Sequence, residues 1–490
     1  MAHGNRGPLR TLREAAAQRA VRGRLPLTIA LAGALVGGGL YLGNRAFVAA
    51  VTPTSCPAGC VTDGTLFVSS DQAMRDTEHE IAAANASATA GAYYSVVLLD
   101  PFTYSTSGTV SQSRMVDELQ GAYLALAAAN AAVARKHTGV AIQLLLANEG
   151  TSAEEGESEA VRQIEDLEGP DRIVAVAGMG LSTANTETAA TALSAVSMPM
   201  FGAVTTGDQF NSLDYQGFFQ IAPDVDAQVH TLVSRLGLAT PQPVALISSD
   251  QKTDTYSIDL QSDFMTALGY PPPLGEFSYD PATAEQQFAD DATTICTRRR
   301  SEHAGTAPSA SLTVLYAGRE AALPALVGQF QQASVCAGRT VTIVTGSDSN
   351  ALPASVTDES DLPGANVTVV YSDIESVASL SQDFVTGARP PASASSATPC
   401  LNQEYDPWEV ATYNSVMAAA STVSEAVFAA DSRTATPAGP LTAAAVLSKA
   451  LDMVGSAPYR APNGSFGFSP NGELWKPVIP VYTDKNGTCS

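Results

Sequence analysis

Basic residues are scarce beyond the first 50 positions of this 490-residue chain. Residues 51–490 contain 19 Lys and Arg against 48 Asp and Glu, which gives this part of the chain a formal charge of −29. So acidic a domain repels a phosphate backbone, and nucleic acid is therefore not expected as a partner. Only five of the 26 basic residues are Lys, a usage typical of a GC-rich bacterial genome.

Histidine is rare and the common catalytic motifs are missing. None of the five His follows a predicted strand, and the sequence has no G-x-S-x-G elbow, no H-E-x-x-H and no P-loop. Gly178 and Gly180 follow a strand, but the third glycine of a dinucleotide-binding motif is absent. The sequence thus favours a binding protein with no cofactor and no catalytic residue. A carboxylate-based hydrolase is the enzymatic alternative that stays open.

The N-terminal region predicts the compartment. Six Arg between residues 6 and 24 precede an uncharged run at residues 25–44, and at about 1.5 Å per residue such a run spans a hydrocarbon core of about 30 Å. The Arg cluster would keep a tail of residues 1–24 in the cytoplasm. We therefore expect a single-pass protein of the cell membrane with its main domain extracytoplasmic. A signal peptide cleaved after Ala50 is the alternative.

All six Cys lie after the uncharged run, and an even number in an oxidising compartment predicts three disulfides. Cys296 and Cys336 each lie near the end of a helix that leads into a strand. Because such junctions share one edge of a parallel sheet, this pair can meet. Cys56 and Cys60 would close a local loop, which leaves Cys400 and Cys489 as the third pair. A metal site is the weaker alternative, since no second Cys pair or His lies near Cys56 and Cys60.

Strands and helices alternate in two series. The continuous apolar run at residues 94–100 is typical of a parallel strand that is covered on both faces. Helices follow the strands regularly up to residue 204, and the alternation restarts at residue 244 and continues to residue 345. The pattern predicts an α/β fold with two lobes, each built on a mostly parallel, doubly wound sheet.

The predicted domain organisation follows from these series. An extracytoplasmic stalk is expected at residues 45–91, after the membrane helix. The first lobe is expected to contain residues 92–228 and 371–456, and the second lobe residues 229–370 and 457–490. A low-complexity loop at residues 389–400 interrupts the last section.

Several local patterns resemble one family, the type I periplasmic binding proteins, and within it the leucine/isoleucine/valine-binding receptors of ABC transporters. The resemblance covers roughly residues 92–485 and rests on the order of these patterns. They are GAYLALAAAN (121–130), GMGLST (178–183) with PMFGAVTT (199–206), DTY (254–256), GSD (346–348), ATYN (411–414) and FSPNG (468–472). The chain departs from the family at Asn148 and Glu149, after the second strand. It also has Arg319 where many members carry an aromatic residue, which argues against a purely aliphatic ligand.

The resemblance and the sheet geometry together imply a ligand site at the carboxyl ends of the strands. In the first lobe, Ser182 and Thr183 precede a helix and would receive an anionic ligand group, although a plain helix N-cap is an equal alternative. Ala203 and Thr205 follow the next strand and would offer a carbonyl and a hydroxyl group to the ligand.

Three further ligand contacts are expected from the second lobe. Asp348 follows a strand and would pair with a ligand ammonium group, and Tyr256 would supply an aromatic wall. Arg319 would bind a second carboxylate through two hydrogen bonds, or would form a salt bridge across the cleft instead.

These expectations define the predicted function. The chain is expected to bind a small amino-acid-like zwitterion by closing its two lobes around it, for an ABC-type uptake system with a permease partner. The alternative is a membrane-tethered ligand sensor or interaction module that acts through a protein partner.

Overall fold

The computed structural model describes residues 56–64, 71–104, 110–136, 139–150, 156–302, 311–349, 362–377, 380–387, 405–433, 440–485 and 488–489. Residues 55–490 form one compact unit. The predicted cytoplasmic tail and membrane helix (residues 1–44) and most of the low-complexity loop lie outside the described residues.

The first sheet has six strands in the order β1-β3-β2-β4-β5-β6, of which only β1 is antiparallel to its neighbour. Its strands are β1 (Val61–Thr62), β2 (Tyr93–Asp100), β3 (Ala141–Asn148), β4 (Ile173–Gly178), β5 (Met200–Gly202) and β6 (Phe218–Gln220). Helices from both ends of the chain cover this sheet: α1 (Gln72–Ala88), α2 (Gln112–Lys136), α3 (Glu157–Leu167), α4 (Ala184–Ala195), α9 (Gln382–Gly387), α10 (Pro407–Arg433) and α11 (Ala443–Asp452).

The second sheet has seven strands in the order β15-β14-β11-β10-β9-β7-β8. The last two strands of the chain join it antiparallel, and the other five strands run parallel. Its strands are β7 (Val244–Ser249), β8 (Gly275–Tyr279), β9 (Ser311–Ala317), β10 (Thr340–Thr345), β11 (Asn366–Ser372), β14 (Val481–Lys485) and β15 (Thr488–Cys489). Its helices are α5 (Val225–Leu236), α6 (Thr255–Leu268), α7 (Ala284–Glu302) and α8 (Leu323–Gln332).

Both sheets are buried on both faces, as their continuous apolar strands predict. In β2, Val96 and Leu98 belong to one apolar cluster, whereas Val97 and Leu99 belong to the cluster on the opposite face. Side chains alternate in the same way along β7 and β9 of the second sheet. Strands covered on both sides are typical of parallel sheets with helices on each face. The predicted α/β architecture with two sheets is therefore confirmed.

The predicted stalk is wrong in its second half, because this part of the chain packs on the first sheet. Met74 and Ile81 of α1 lie in the core of the first lobe with 2% and 0% exposure. The side chain of Asn85 donates to the carbonyl oxygen of Leu144 and accepts from the N–H of the same residue, at 2.7 and 2.8 Å. Since β1 also pairs with β3, both β1 and α1 are integral parts of this lobe.

The C-terminal section divides between the lobes in a way that differs from the expected boundary at residue 457. A short hairpin of β12 (Tyr459–Ala461) and β13 (Gly464–Phe466) comes first. Its Tyr459 and the nearby Phe468 are buried in the apolar core of the first lobe, while β14 belongs to the second sheet. The chain therefore returns to the second lobe only after this hairpin.

Two disulfides are present in the described part of the chain, and both are pairs that the sequence suggested. Cys296 of α7 is bonded to Cys336, with their Cα atoms 5.3 Å apart, and both residues are completely buried. Cys56 is bonded to Cys60, with a Cα separation of 5.4 Å. The expected third pair involves Cys400, which lies outside the described residues.

The expected membrane localisation needs correction. Within the residues that the structure describes, no helix combines the length and the apolar character needed to cross a lipid bilayer. The run at residues 25–44, on which the expectation rested, lies outside them. The prediction of a single-pass membrane protein is accordingly not retained.

Candidate functional site

Four of the seven predicted site residues meet where the two lobes touch. Ser182 follows β4 of the first sheet, whereas Tyr256, Arg319 and Asp348 follow β7, β9 and β10 of the second. The amide of Tyr256 donates to the carbonyl oxygen of Ser182 at 3.4 Å. Because the carboxyl ends of parallel strands share one edge, both sheets present these side chains toward each other.

Arg319 is the central cation of this contact. Its Nη2 lies 2.7 Å from Oδ1 of Asp254 and 3.0 Å from the carbonyl oxygen of Ser182 in the other lobe. Burial alone would lower the pKa of the guanidinium, but the carboxylates of Asp254 and Asp348 outweigh it and the pKa is raised. The salt bridge of Arg319 is formed with Asp254 of its own lobe, a partner that the sequence did not identify, and its contact across the cleft is the hydrogen bond to Ser182.

Tyr256 and Asp348 complete the second-lobe part of the site. The guanidinium carbon of Arg319 lies 4.6 Å from the centre of the Tyr256 ring, within cation–π range. The hydroxyl of Tyr256 accepts from the amide of Asp348 at 3.3 Å, and Oδ2 of Asp348 accepts from the amide of Glu320 at 2.9 Å. Burial and the nearby carboxylate of Asp348 raise the pKa of Tyr256, so its hydroxyl stays protonated.

Arg114 of α2 is a site residue that the sequence reasoning missed. It reaches from the first lobe to the second, where its Nη2 lies 3.3 Å from Oε2 of Glu320 and its Nη1 lies 3.6 Å from Oδ1 of Asp348. Its guanidinium also stacks 4.0 Å from the centre of the Trp408 ring. A cation in the first turn of a helix opposes the helix dipole, and this unfavourable placement was a signal that Arg114 is held by carboxylates elsewhere.

The hydroxyl groups of the first-lobe residues are bonded within their own lobe; Ser182 and Thr205 are buried, whereas Thr183 is half-buried. Oγ of Ser182 accepts from the amides of Thr206 and Gly207, both at 2.9 Å. Thr183 caps α4 through the amide of Thr186, which is the simpler of the two roles expected for it. The hydroxyl of Thr205 donates to the carbonyl oxygen of Gly180 at 3.1 Å.

Ala203 lies at the end of β5 and is completely buried. Its amide donates to the carbonyl oxygen of Gly178 at 2.8 Å. Like Thr205, Ala203 is therefore hydrogen-bonded to the segment at the end of β4. None of its described hydrogen bonds reaches a residue of the second lobe.

Four buried carboxylates lie behind this contact at the strand ends of the first sheet. They are Asp100, Glu118, Glu149 and Glu157, each at most 3% exposed. Burial raises the pKa of all four; repulsion from Glu149 adds to the effect at Asp100, and the pKa of Glu157 reaches about 8. The sequence drew attention to Glu149 only, because an isolated acidic residue ordinarily belongs to a solvated surface.

The loop that carries Ser182 packs directly on two of these carboxylates. Gly178, Met179 and Gly180 all have positive φ angles, of 83°, 69° and 56°. A side chain at Gly178 would collide with the carboxylate of Asp100, and one at Gly180 would collide with that of Glu149. Glycine is therefore required twice in this loop, both for the backbone conformation and for the close approach of the carboxylates.

A second group of carboxylates joins the lobes at their outer edge. The amide of Asp208 in the first lobe donates to Oδ2 of Asp259 on α6 at 3.2 Å, and the carboxyl group of Asp263 on the same helix also faces Asp208. Burial, followed by repulsion from Asp208, raises the pKa of Asp259 to about 7 and that of Asp263 to about 8. Carboxyl groups that are buried close together disfavour each other's ionised form, which explains the direction of these pKa shifts.

Comparison with solved structures identifies the fold. No model of a known protein family matches the chain, and no curated protein matches it either. The chain is similar to an ABC transporter substrate-binding protein from Desulfitobacterium hafniense in complex with Leu, with 14% identity and a TM-score of 0.56, covering 81% of this chain and 99% of that one.

Two more binding proteins show the same similarity. A leucine-binding protein from Thermotoga maritima has 14% identity and a TM-score of 0.52, with 81% of this chain and 97% of that chain covered. A branched-chain amino acid transporter substrate-binding protein from Streptococcus pneumoniae, in complex with isoleucine, has 13% identity and a TM-score of 0.53, with 81% and 98% covered. The chain thus has the fold of the type I periplasmic binding proteins, as its sequence patterns suggested.

Proposed function

We propose that this chain is a non-enzymatic small-molecule-binding protein that closes its two lobes around a ligand and serves an ABC-type uptake system with a permease partner. The main support is that charged and polar groups from the strand ends of both sheets meet at one contact. Arg319 bonds to the carbonyl oxygen of Ser182, and Arg114 pairs with Glu320 across the same boundary. Strand ends that face each other are where ligands bind in open α/β sheets.

We expect a ligand to break some of the contacts between the two lobes and to take their place. The amide of Ala184 donates to the carbonyl oxygen of Thr253 at 3.0 Å, so the lobes are in direct backbone contact. A zwitterion that enters between open lobes would replace contacts between the lobes with contacts to itself and would favour closure by its differential affinity. The proposed ligand contacts are Ser182, Thr183, Ala203, Thr205, Tyr256, Arg319 and Asp348.

One observation favours a second candidate function, a ligand sensor or interaction module that acts through a protein partner. Asp348 is already paired with Arg114 of the other lobe, and Arg319 with Asp254 of its own lobe, so the chain's own charges occupy these groups and hold the lobes together. A receptor that closes without a ligand can present its closed surface to a partner continuously, and a ligand would then change that surface.

The two candidates are separated by measuring ligand-dependent closure. The purified chain would be titrated with leucine, isoleucine and an aromatic carboxylate, with the melting temperature and the radius of gyration from small-angle X-ray scattering as readouts. Solute capture predicts that at least one compound raises the melting temperature by several degrees and decreases the radius of gyration relative to the free protein.

Two variants test the proposed site. Asp348→Asn should abolish the ligand-induced shift, whereas Ser87→Ala, at an exposed position of α1, should retain it. If no compound changes either readout while a partner protein binds the free chain, solute capture is wrong and the second candidate is favoured.

A further inference from the structure

We propose that Asp100, Glu118, Glu149 and Glu157 form a binding site for an organic cation that carries ammonium groups, at the inner edge of the first lobe. These residues are called the lobe-one carboxylates below. The inference rests on the proposed function and names the class of ligand that the same cleft would accept.

The lobe-one carboxylates come from elements that converge on the ligand edge of the first sheet. Asp100 is the last residue of β2, Glu149 directly follows β3, and Glu157 is the first residue of α3. Glu118 lies one helical turn after Arg114 on α2, and repulsion from Asp100 helps to raise its pKa. Four acidic side chains that are nearly inaccessible to water are thereby placed at the strand ends where a ligand is expected.

Their oxygen atoms lack donors within the described part of the chain. Both carboxylate oxygens of Glu149 and of Glu157, and Oδ2 of Asp100, are buried without a hydrogen-bond partner there. Glu149 is completely buried and is directed at Gly180, whose amide bonds to Oδ1 of Asp100. Because buried polar groups are almost always hydrogen-bonded in folded proteins, these oxygens are places where a bound molecule can supply donors.

The charge balance indicates that this molecule is a cation. Arg114 attracts Glu118, but the same guanidinium already pairs with Glu320 and Asp348 of the second lobe. The amides of Thr206 and Gly207, which would otherwise receive a ligand carboxylate, donate to Oγ of Ser182. The site therefore offers acceptors in excess and few free donors.

An ammonium group fits such a site chemically. It carries a positive charge and three N–H donors and has no acceptor, so it complements carboxylates without competing for their donors. A diamine or polyamine carries two or more such groups and can reach several carboxylates at once. An aliphatic amino acid, by contrast, brings one ammonium group together with a carboxylate that the acidic surroundings repel.

The test is titration of the full chain with 1,4-diaminobutane by isothermal calorimetry at pH 7.5 in 0.15 M NaCl, with the melting temperature as a second readout. We expect binding in the wild type and a rise of several degrees in melting temperature. Glu149→Gln and Glu157→Gln should each weaken binding at least tenfold. Glu165→Gln, an exposed residue on the same helix as Glu157, is the matched control and should bind as the wild type does.

Folding of the variants is checked separately. Without diamine, Glu149→Gln should be at least as stable as the wild type, because the substitution removes a buried carboxylate. If Glu149→Gln does not fold, Glu157→Gln carries the test alone.

Four results would overturn the inference. They are no diamine binding in the wild type at 10 mM, binding that both Gln variants retain, loss of binding in Glu165→Gln as well, and stabilisation by Mg²⁺ or Ca²⁺ but not by diamine. If leucine closes the lobes and diamine does not bind, the cation inference fails and the proposed function stands. If no compound binds, both fail.

Discussion

The guanidinium of Arg319 connects the two lobes, because the same Nη2 atom lies 2.7 Å from Oδ1 of Asp254 and 3.0 Å from the carbonyl oxygen of Ser182. Asp254 belongs to the second lobe and Ser182 to the first. The side chains of Arg319 and Asp254 are 11% and 5% exposed, so the ion pair is largely shielded from water. Removal of either partner would leave the other charge buried at the boundary.

Arg319→Met should therefore destabilise the protein by about 3–5 kcal/mol, the usual cost of breaking a buried ion pair from one side. The measurement is urea unfolding at pH 7. Arg162→Met removes an exposed ion pair and should change the free energy of unfolding far less than Arg319→Met does. Asp254→Asn should recover part of the loss when it is combined with Arg319→Met. Equal effects of Arg319→Met and Arg162→Met would contradict the buried pairing.

Arg114 and Arg319 approach the same carboxylate oxygen from opposite lobes. Oδ1 of Asp348 lies 3.6 Å from Nη1 of Arg114 and 3.7 Å from Nη1 of Arg319. We expect the effects of Arg114→Leu and Arg319→Met to be non-additive, with a coupling free energy of about 0.5–3 kcal/mol in a double-mutant cycle. Arg114→Leu combined with Arg162→Met should be additive within about 0.5 kcal/mol. Additivity of both pairs would show that Asp348 does not connect the two cations.

Ser182 has a structural role in addition to the proposed ligand contact. Its Oγ accepts from the amides of Thr206 and Gly207, and Ser182 itself is 1% exposed. Ser182→Ala leaves two buried N–H groups without an acceptor and should cost about 2–3 kcal/mol in urea unfolding. Ser87→Ala, on the exposed face of α1, is the control and should be close to neutral. A neutral Ser182→Ala would mean that water replaces the hydroxyl.

The fold could be predicted from the sequence wherever a strand is a continuous apolar run. Such strands can be recognised from the local sequence alone, because burial on both faces selects apolar residues at every position. The strand predicted at residues 94–100 is short by one residue, and the second series ends at residue 345, where the strand β10 ends. The packing of α1 on the first sheet could not be predicted, since Asn85 of this helix bonds to Leu144 of β3, 59 positions later in the chain.

The sequence indicated where the proposed site residues lie but not which residues they contact. The strand-end rule predicted Ser182, Tyr256, Arg319 and Asp348 at one edge, where they do lie close together, and their role in ligand binding stays a prediction. It could not show that Arg114 would meet Asp348, a residue 234 positions later in the chain. The burial of the lobe-one carboxylates could not be predicted for the same reason. Burial of an acidic residue depends on packing that a local pattern does not contain.

The acidic contact between Asp208, Asp259 and Asp263 should make stability depend on pH. The further charged groups that face it are Glu187, Asp224, Asp254 and Asp226, of which Asp226 pairs with His230. The pKa of Asp263 rises from 3.8 to about 8, so between these values the folded state holds a proton that the unfolded state has lost. Stability therefore falls as pH rises through this range and levels off above it.

Asp263→Asn should flatten this dependence, and the measurement is the urea midpoint from pH 5 to pH 8.5. Asp452→Asn, at an exposed position, should leave the slope unchanged. A slope that is the same in the wild type and in Asp263→Asn would show that the carboxyl contact does not hold a proton.

The two observed disulfides should differ in their contribution to stability, because they close loops of very different length. Cys296 and Cys336 are 40 residues apart, whereas Cys56 and Cys60 are 4 residues apart. Loop-closure entropy in the unfolded chain predicts contributions of about 4 and about 2 kcal/mol respectively. Cys296→Ala with Cys336→Ala should therefore lower the free energy of unfolding by about twice as much as Cys56→Ala with Cys60→Ala. Guanidinium unfolding of the two double variants measures this difference. An equal loss in both would mean that native-state packing, and not chain entropy, determines the stabilisation.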